Sequence, residues 1–196
     1  MGNNLIDLKT LDNLCLKKCN LTDILRECVN LSTVYIQEKD IKISLELEER
    51  RAGGQEGKSF NDSSLSENLH VQQSDTDLSP YRPIALSPYV YIDENKFLAC
   101  LINIIKNAIE AIEKKGEIHI SQSIEGENAV IKISNNGAPI SDTEHIFDEG
   151  FTTKKTGSGL GLAICKEYLK EQNAELKLSK STKDITEFEI IVPITK

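Results

Sequence analysis

The chain has 196 residues, of which 39% are apolar and 28% charged, and a formal net charge of -8. That length suits one domain with a sizeable core, and the acidic balance argues against a general nucleic-acid or anionic-membrane surface. No apolar run is long enough to span a bilayer and Met1-Gly2-Asn3-Asn4 opens no signal peptide, so a cytoplasmic chain without membrane contact is expected, even if its parent protein is anchored in a membrane.

Residues 5 to 18, with Leu5, Leu8, Leu11, Leu14 and Leu16, read as a leucine-rich helix, either a local core helix or the tail of a longer dimerising one. Asn20 is placed to cap a second helix, whose inner face is Leu21, Ile24, Leu25, Cys28, Leu31 and Ser32. Ile41 to Leu47 alternates as a half-buried strand. From about residue 48 to 86, Gly, Ser, Asn, Gln and Asp dominate without periodicity, which predicts a mobile insertion between two strands. Within it, Ala52 to Ser59 nearly fits a P-loop, but alanine replaces the first glycine and the residues after Ser59 cannot open a buried helix. Cys15, Cys19, Cys28, Cys100 and Cys165 are odd in number and lack metal-site spacing, so free thiols in a reducing compartment are expected.

Pro88 to Ile92 is the next predicted strand, and Asp93 and Glu94 suit the first turn of a helix. In that helix Leu98, Leu101, Ile102, Ile105, Ile109 and Ile112 recur on one face, Asn103, Asn107 and Glu110 lie on the other, and Gly116 ends it. Two amide oxygens one turn apart near a carboxylate can hold a hydrated hard cation such as Mg²⁺, although an ordinary solvated face has the same pattern. Strands over 117–124 and 129–134 flank a hairpin at Glu125-Gly126-Glu127-Asn128.

Three glycine-centred segments follow. Asn135-Asn136-Gly137-Ala138-Pro139-Ile140 puts short amides and a close-approaching backbone at a strand end. Ile146 to Lys155 carries Phe147 and Phe151 as burial anchors, and Lys154 can reach a phosphate as a flexible point charge. Thr156-Gly157-Ser158-Gly159-Leu160-Gly161 runs into a helix whose inward residues are Leu162, Cys165, Tyr168 and Leu169, offering unpaired N–H groups to an anion. Strands over 174–178 and 187–192 close the chain. The predicted fold is an α/β (α+β) two-layer sandwich with a mixed, mostly antiparallel sheet covered on one face by helices.

In order and spacing these segments resemble the boxes of one family: Asn103 to Asn107 the N box, Asn135 to Ile140 the first glycine box, Phe147 to Lys154 the F box, and Gly157 to Gly161 the second glycine box. The chain is similar to the catalytic, ATP-binding domain of bacterial sensor histidine kinases, in the superfamily shared with gyrase B, MutL and heat-shock chaperone ATPases. The resemblance implies a Bergerat-type ATP-binding fold over residues 20–196, with 1–19 as a dimerisation-helix tail or linker. It implies Mg²⁺ on Asn107 with help from Asn103, and adenine recognition by Asn135 where the family usually has aspartate; an amide oxygen accepts the same bond. Pro139 replaces the second glycine of that box. Phe147 and Phe151 would anchor an ATP lid from Ala138 to Ser158, while Gly137, Thr153, Lys154, Gly157, Ser158, Gly159, Leu160 and Gly161 would complete the ATP site.

The implied catalytic residues are Asn103, Asn107 and Lys154, in a kinase that hydrolyses ATP slowly because Asn103 stands where hydrolysing relatives have a glutamate base. None of His70, His119 and His145 lies in a phosphoacceptor box, so the acceptor is expected on a separate histidine-bearing dimerisation domain, with a response regulator downstream. Alternatives are an anti-sigma-type serine kinase and a non-catalytic nucleotide-sensing interaction module.

Overall fold

A computed structural model describes residues 14–36, 39–48, 60–62, 87–152 and 157–195. Strand β1 (Lys17–Asn20) leads into helix α1 (Leu21–Ser32) and a short 3₁₀ turn, followed by β2 (Asp40–Leu47), β3 (Phe60–Asp62) and β4 (Tyr89–Ile92). Helix α2 (Glu94–Ala111), the hairpin β5 (Lys115–Glu125) and β6 (Asn128–Asn135), helix α3 (Gly161–Glu171), β7 (Glu175–Ser181) and β8 (Thr186–Pro193) complete it. The main sheet has the order β3-β2-β5-β6-β8-β7. Among the described residues of this sheet only β2 and β5 pair in parallel; the other neighbours are antiparallel.

Period-two alternation assigns the two sheet faces. Ile43, Leu45, Ile118, Ile120, Ile131, Ile133, Phe188, Ile190 and Val192 are buried in one core with the helices. The opposite face carries Lys132, Lys177 and Glu189, where the Glu189 carboxylate lies 2.7 Å from Lys177 and 3.8 Å from Lys132. The predicted two-layer architecture, with a mixed, mostly antiparallel sheet, is the one observed.

Local departures have packing causes. The helix expected through residue 18 is absent over 14–18: Lys17 to Asn20 instead pair antiparallel with β4, and Cys19 is buried with Val90 and Ile92. A paired, half-buried strand outweighs weak helix propensity there. Residues 1–13 lie outside the described residues, as does the P-loop-like stretch 52–59. Of the insertion, Phe60–Asp62 pairs antiparallel with the end of β2. Asn20 does cap α1, its Oδ1 accepting from the Thr22 and Asp23 amides at 3.0 and 3.4 Å. The inner face of α1 includes Val29, one turn from Leu25, whereas Leu31 at the edge of the face near the helix end is 43% exposed. Gly116 does not end α2, whose cap is Ile112; Gly116 lies within β5, where an added Cβ would come within 2.6 Å of the Asn136 Oδ1.

Candidate functional site

Helix α2 is the spine of the site. Asp93 caps it, its Oδ1 accepting from the Lys96 amide at 3.1 Å. The same carboxylate accepts from the Cys15 amide at 2.8 Å, and the Asp93 amide donates to Gln172 Oε1 at 2.8 Å. At the far end Lys39 Nζ donates to the Ile109 and Ile112 carbonyls at 2.8 and 2.7 Å, placing a cation on the negative end of the helix. Phe97, Cys100, Leu101, Ile104, Ile105 and Ile109 are buried, so the apolar surface is wider than one stripe. Asn103 and Asn107 remain partly accessible and Glu110 is exposed.

Asn103 faces the start of α3. Its Nδ2 donates to Cys165 Sγ at 3.5 Å, and a Cβ on Gly161 would lie 2.8 Å from its Oδ1. Cys100 and Cys165 are buried beneath this contact, and hydrogen bonding to Cys165 together with burial pushes the Cys100 thiol well up. Burial likewise pushes the Cys28 thiol up to about 12. All five cysteines are free thiols, and these buried ones are poor nucleophiles. Helix α3 begins at Gly161 without a side-chain cap, which leaves its first amides available.

The first glycine segment closes on the other end of α2. The Ala138 amide donates to the Ala111 carbonyl at 2.9 Å, and a Cβ on Gly137 would lie 2.6 Å from the Ala111 carbonyl carbon. Asn135 is buried at the end of β6, accepting from the Gly137 amide at 3.0 Å. Directly opposite on β8 is Thr186, a residue that sequence reasoning missed. Its hydroxyl is buried and has no hydrogen-bond partner among the described residues. The sequence signal was weak, a lone threonine at a strand start, and only cross-strand register reveals it.

The phenylalanine segment is pinned at both rings. Phe147 meets Phe188 edge-to-face at 6.4 Å between centroids, with Lys166 Nζ 4.8 Å from its ring centroid. Phe151 packs partly buried on the core. The Gly150 amide donates to the Gly159 carbonyl at 3.1 Å. Gly159 has φ +69, and a Cβ there would lie 2.3 Å from the Gly150 carbonyl carbon, so the segment and the glycine run are held backbone to backbone. Gly157 and Ser158 are exposed, Leu160 is partly buried, and Thr153 and Lys154 lie outside the described residues. Segments that follow one another in sequence after β6 thus return to one helix: Gly137 at its end and Gly161 at its middle, with the phenylalanine segment joined to the glycine run.

A family sequence profile described as the histidine kinase-, DNA gyrase B- and HSP90-like ATPase matches residues 92–196, more than half of the chain. The chain belongs to this ATPase family. Sporulation kinase C of Bacillus subtilis (strain 168) is 38% identical over 104 residues, covering 52% of this chain and 24% of that protein. The chain spans about a quarter or less of the length of the curated relatives it matches. Among solved structures, the catalytic domain of the histidine kinase ThkA superposes with a TM-score of 0.65 at 23% identity, covering 91% of this chain and 95% of that one. ThkA in complex with the response regulator TrrA superposes with a TM-score of 0.62 at 22% identity, covering 96% of this chain and 45% of that one. These structures share the fold of this ATPase domain.

Of the histidines in the ATPase domain, His119 lies on β5, its Nδ1 2.9 Å from Ser44 Oγ and its Nε2 3.3 Å from Glu46. His145 is exposed and bonded to Asp142 at 3.0 Å. His70 lies outside the described residues. Among the described residues no helix is long and apolar enough to cross a membrane.

Proposed function

We propose that this ATPase domain is the catalytic part of a two-component sensor histidine kinase, passing the ATP γ-phosphoryl group to a histidine on a dimerisation domain outside the chain. The observation that carries this is the contact of Gly161 with the Asn103 amide, which sets the glycine run and the amide row of α2 side by side. The uncapped amides of α3 and the orphaned Thr186 hydroxyl fit a polyanionic nucleotide with a polar base. In this reading Asn107, helped by Asn103, holds Mg²⁺, which when bound neutralises charge on the phosphates. Asn135 meets the base and Gly137 lets the backbone approach it. Phe147 and Phe151 anchor the intervening segment. Thr153, Lys154 and the backbone from Gly157 through Ser158, Gly159 and Leu160 to Gly161 hold the phosphates.

Asn103 has no basic group with which to activate water, so ATP is positioned for transfer rather than hydrolysed. Asn103→Glu should raise hydrolysis, and fast turnover by the wild type would contradict the assignment. The missing glutamate also disfavours an anti-sigma-type serine kinase. A response regulator is the expected downstream partner and the cytoplasm the expected compartment. The test is incubation with γ-labelled ATP, alone and with a separate histidine-bearing dimerisation domain. Label on the added domain only is expected; nucleotide binding without any transfer would favour a nucleotide-sensing module.

A further inference from the structure

Asn135 and Thr186 form a cross-strand pair on the helix-covered face, continuing the row of Ile133 and Phe188. Both are almost fully buried, at 5% and 3% exposure. Directly opposed residues of an antiparallel pair are close enough to act on one ligand group together. The Gly137 amide can only donate, so its 3.0 Å bond identifies the acceptor on Asn135 as Oδ1. The other atom is therefore Nδ2, which donates to nothing among the described residues. Oδ1 keeps one lone pair in reserve. Beside it, the Thr186 hydroxyl is unpartnered and can donate or accept. Buried polar groups are normally satisfied, so the open Thr186 hydroxyl, with the Asn135 amide directly across from it, marks where a polar ligand edge belongs.

Resting on the nucleotide-site reading above, we propose that Asn135 and Thr186 together contact the base, and that the amide makes the site accept oxopurine as well as aminopurine nucleoside triphosphates. Adenine presents an amino donor where guanine and hypoxanthine present a carbonyl acceptor. A carboxylate offers acceptors only and turns such a carbonyl away. The Asn135 amide offers a lone pair to the amino group or an N–H to the carbonyl, and the Thr186 hydroxyl rotates to complement either.

The test is displacement of a ribose-labelled fluorescent ATP analogue by ATP, GTP and ITP in the presence of Mg²⁺, on the wild type, Asn135→Asp and Thr186→Val. For the wild type, GTP and ITP should compete within about tenfold of ATP, less than one well-made pairing difference. Asn135→Asp should widen the preference for ATP by about tenfold or more. Thr186→Val should weaken all three nucleotides while leaving the melting temperature of the nucleotide-free protein unchanged or higher, because an unsatisfied buried hydroxyl is removed. Strong rejection of GTP and ITP by the wild type, or an ATP-to-GTP ratio unmoved by Asn135→Asp, overturns the proposal and leaves the ATP site standing. Failure of every nucleotide to displace the analogue overturns both.

Discussion

Gly161 shows how one missing side chain shapes the site. A methyl there would press on the Asn103 amide at 2.8–2.9 Å, and the amide, as the end of a side chain, can swing aside. Gly161→Ala should therefore fold normally yet lower Mg²⁺-dependent nucleotide affinity by about tenfold, read by displacement of a fluorescent ATP analogue. Unchanged affinity would place Asn103 outside the site. The Asp142–His145 pair makes a second residue-scale statement. The bond to Asp142 holds His145 above its ordinary pKa, and the bond to His145 holds Asp142 below its own. The histidine contribution is complete below its unfolded value and is lost as pH rises through the raised one. The aspartate contribution is present above its unfolded value and is lost as pH falls through the depressed one. The pair thus supports its loop most between about pH 4 and pH 6.5. Asp142→Asn should bring the His145 midpoint down toward the free-histidine value in an NMR titration; an unmoved midpoint would contradict the bond. The amide row and the glycine run were legible at this scale because each is a local pattern. Thr186 and the contact of Asn103 with Cys165 were not, because what distinguishes them is what lies opposite in register or across a helix contact.

Among the elements, α2 was read most fully, since long amphipathic periodicity and a capping aspartate are both local signals. Its terminus was misjudged. Gly116 reads as a helix stop, but the chain turns at Ile112 and the negative end is held by Lys39, which comes from the segment before β2. Nothing local to α2 announces that lysine. Lys39→Met should cost about 1.5–3 kcal/mol, the range for a hydrogen-bonded charge, seen as a lower urea midpoint with an unchanged slope. A loss below about 0.5 kcal/mol, typical of surface changes, would show the bonds to be incidental. The leucine spacing before residue 18 misled for the opposite reason: helical periodicity there gives way to a strand that only β4, distant in sequence, calls into existence.

For the whole molecule, the order of strands and helices sufficed to predict the layer architecture. It could not divide the strands between sheets: Tyr89–Ile92 reads like any core strand, yet it leaves the main sheet to pair with β1. Because a nucleotide held by the folded ATPase domain binds the native chain and not the unfolded one, it should stabilise the fold. With Mg²⁺ and ATP at about a hundred times the dissociation constant, the gain should be about 2.7 kcal/mol, measured as a rise in melting temperature. Asn107→Ala should lose most of that rise, and an equal rise in the variant would remove Asn107 from metal binding.

One carboxylate, that of Asp93, bonds both the backbone of Cys15 and the first turn of α2, while its amide reaches Gln172 at the close of α3. The residue just ahead of β1 is thereby tied to the two helices that bear the amide row and the glycine run. A disturbance of the backbone at Cys15 is thus a single carboxylate away from the first turn of α2.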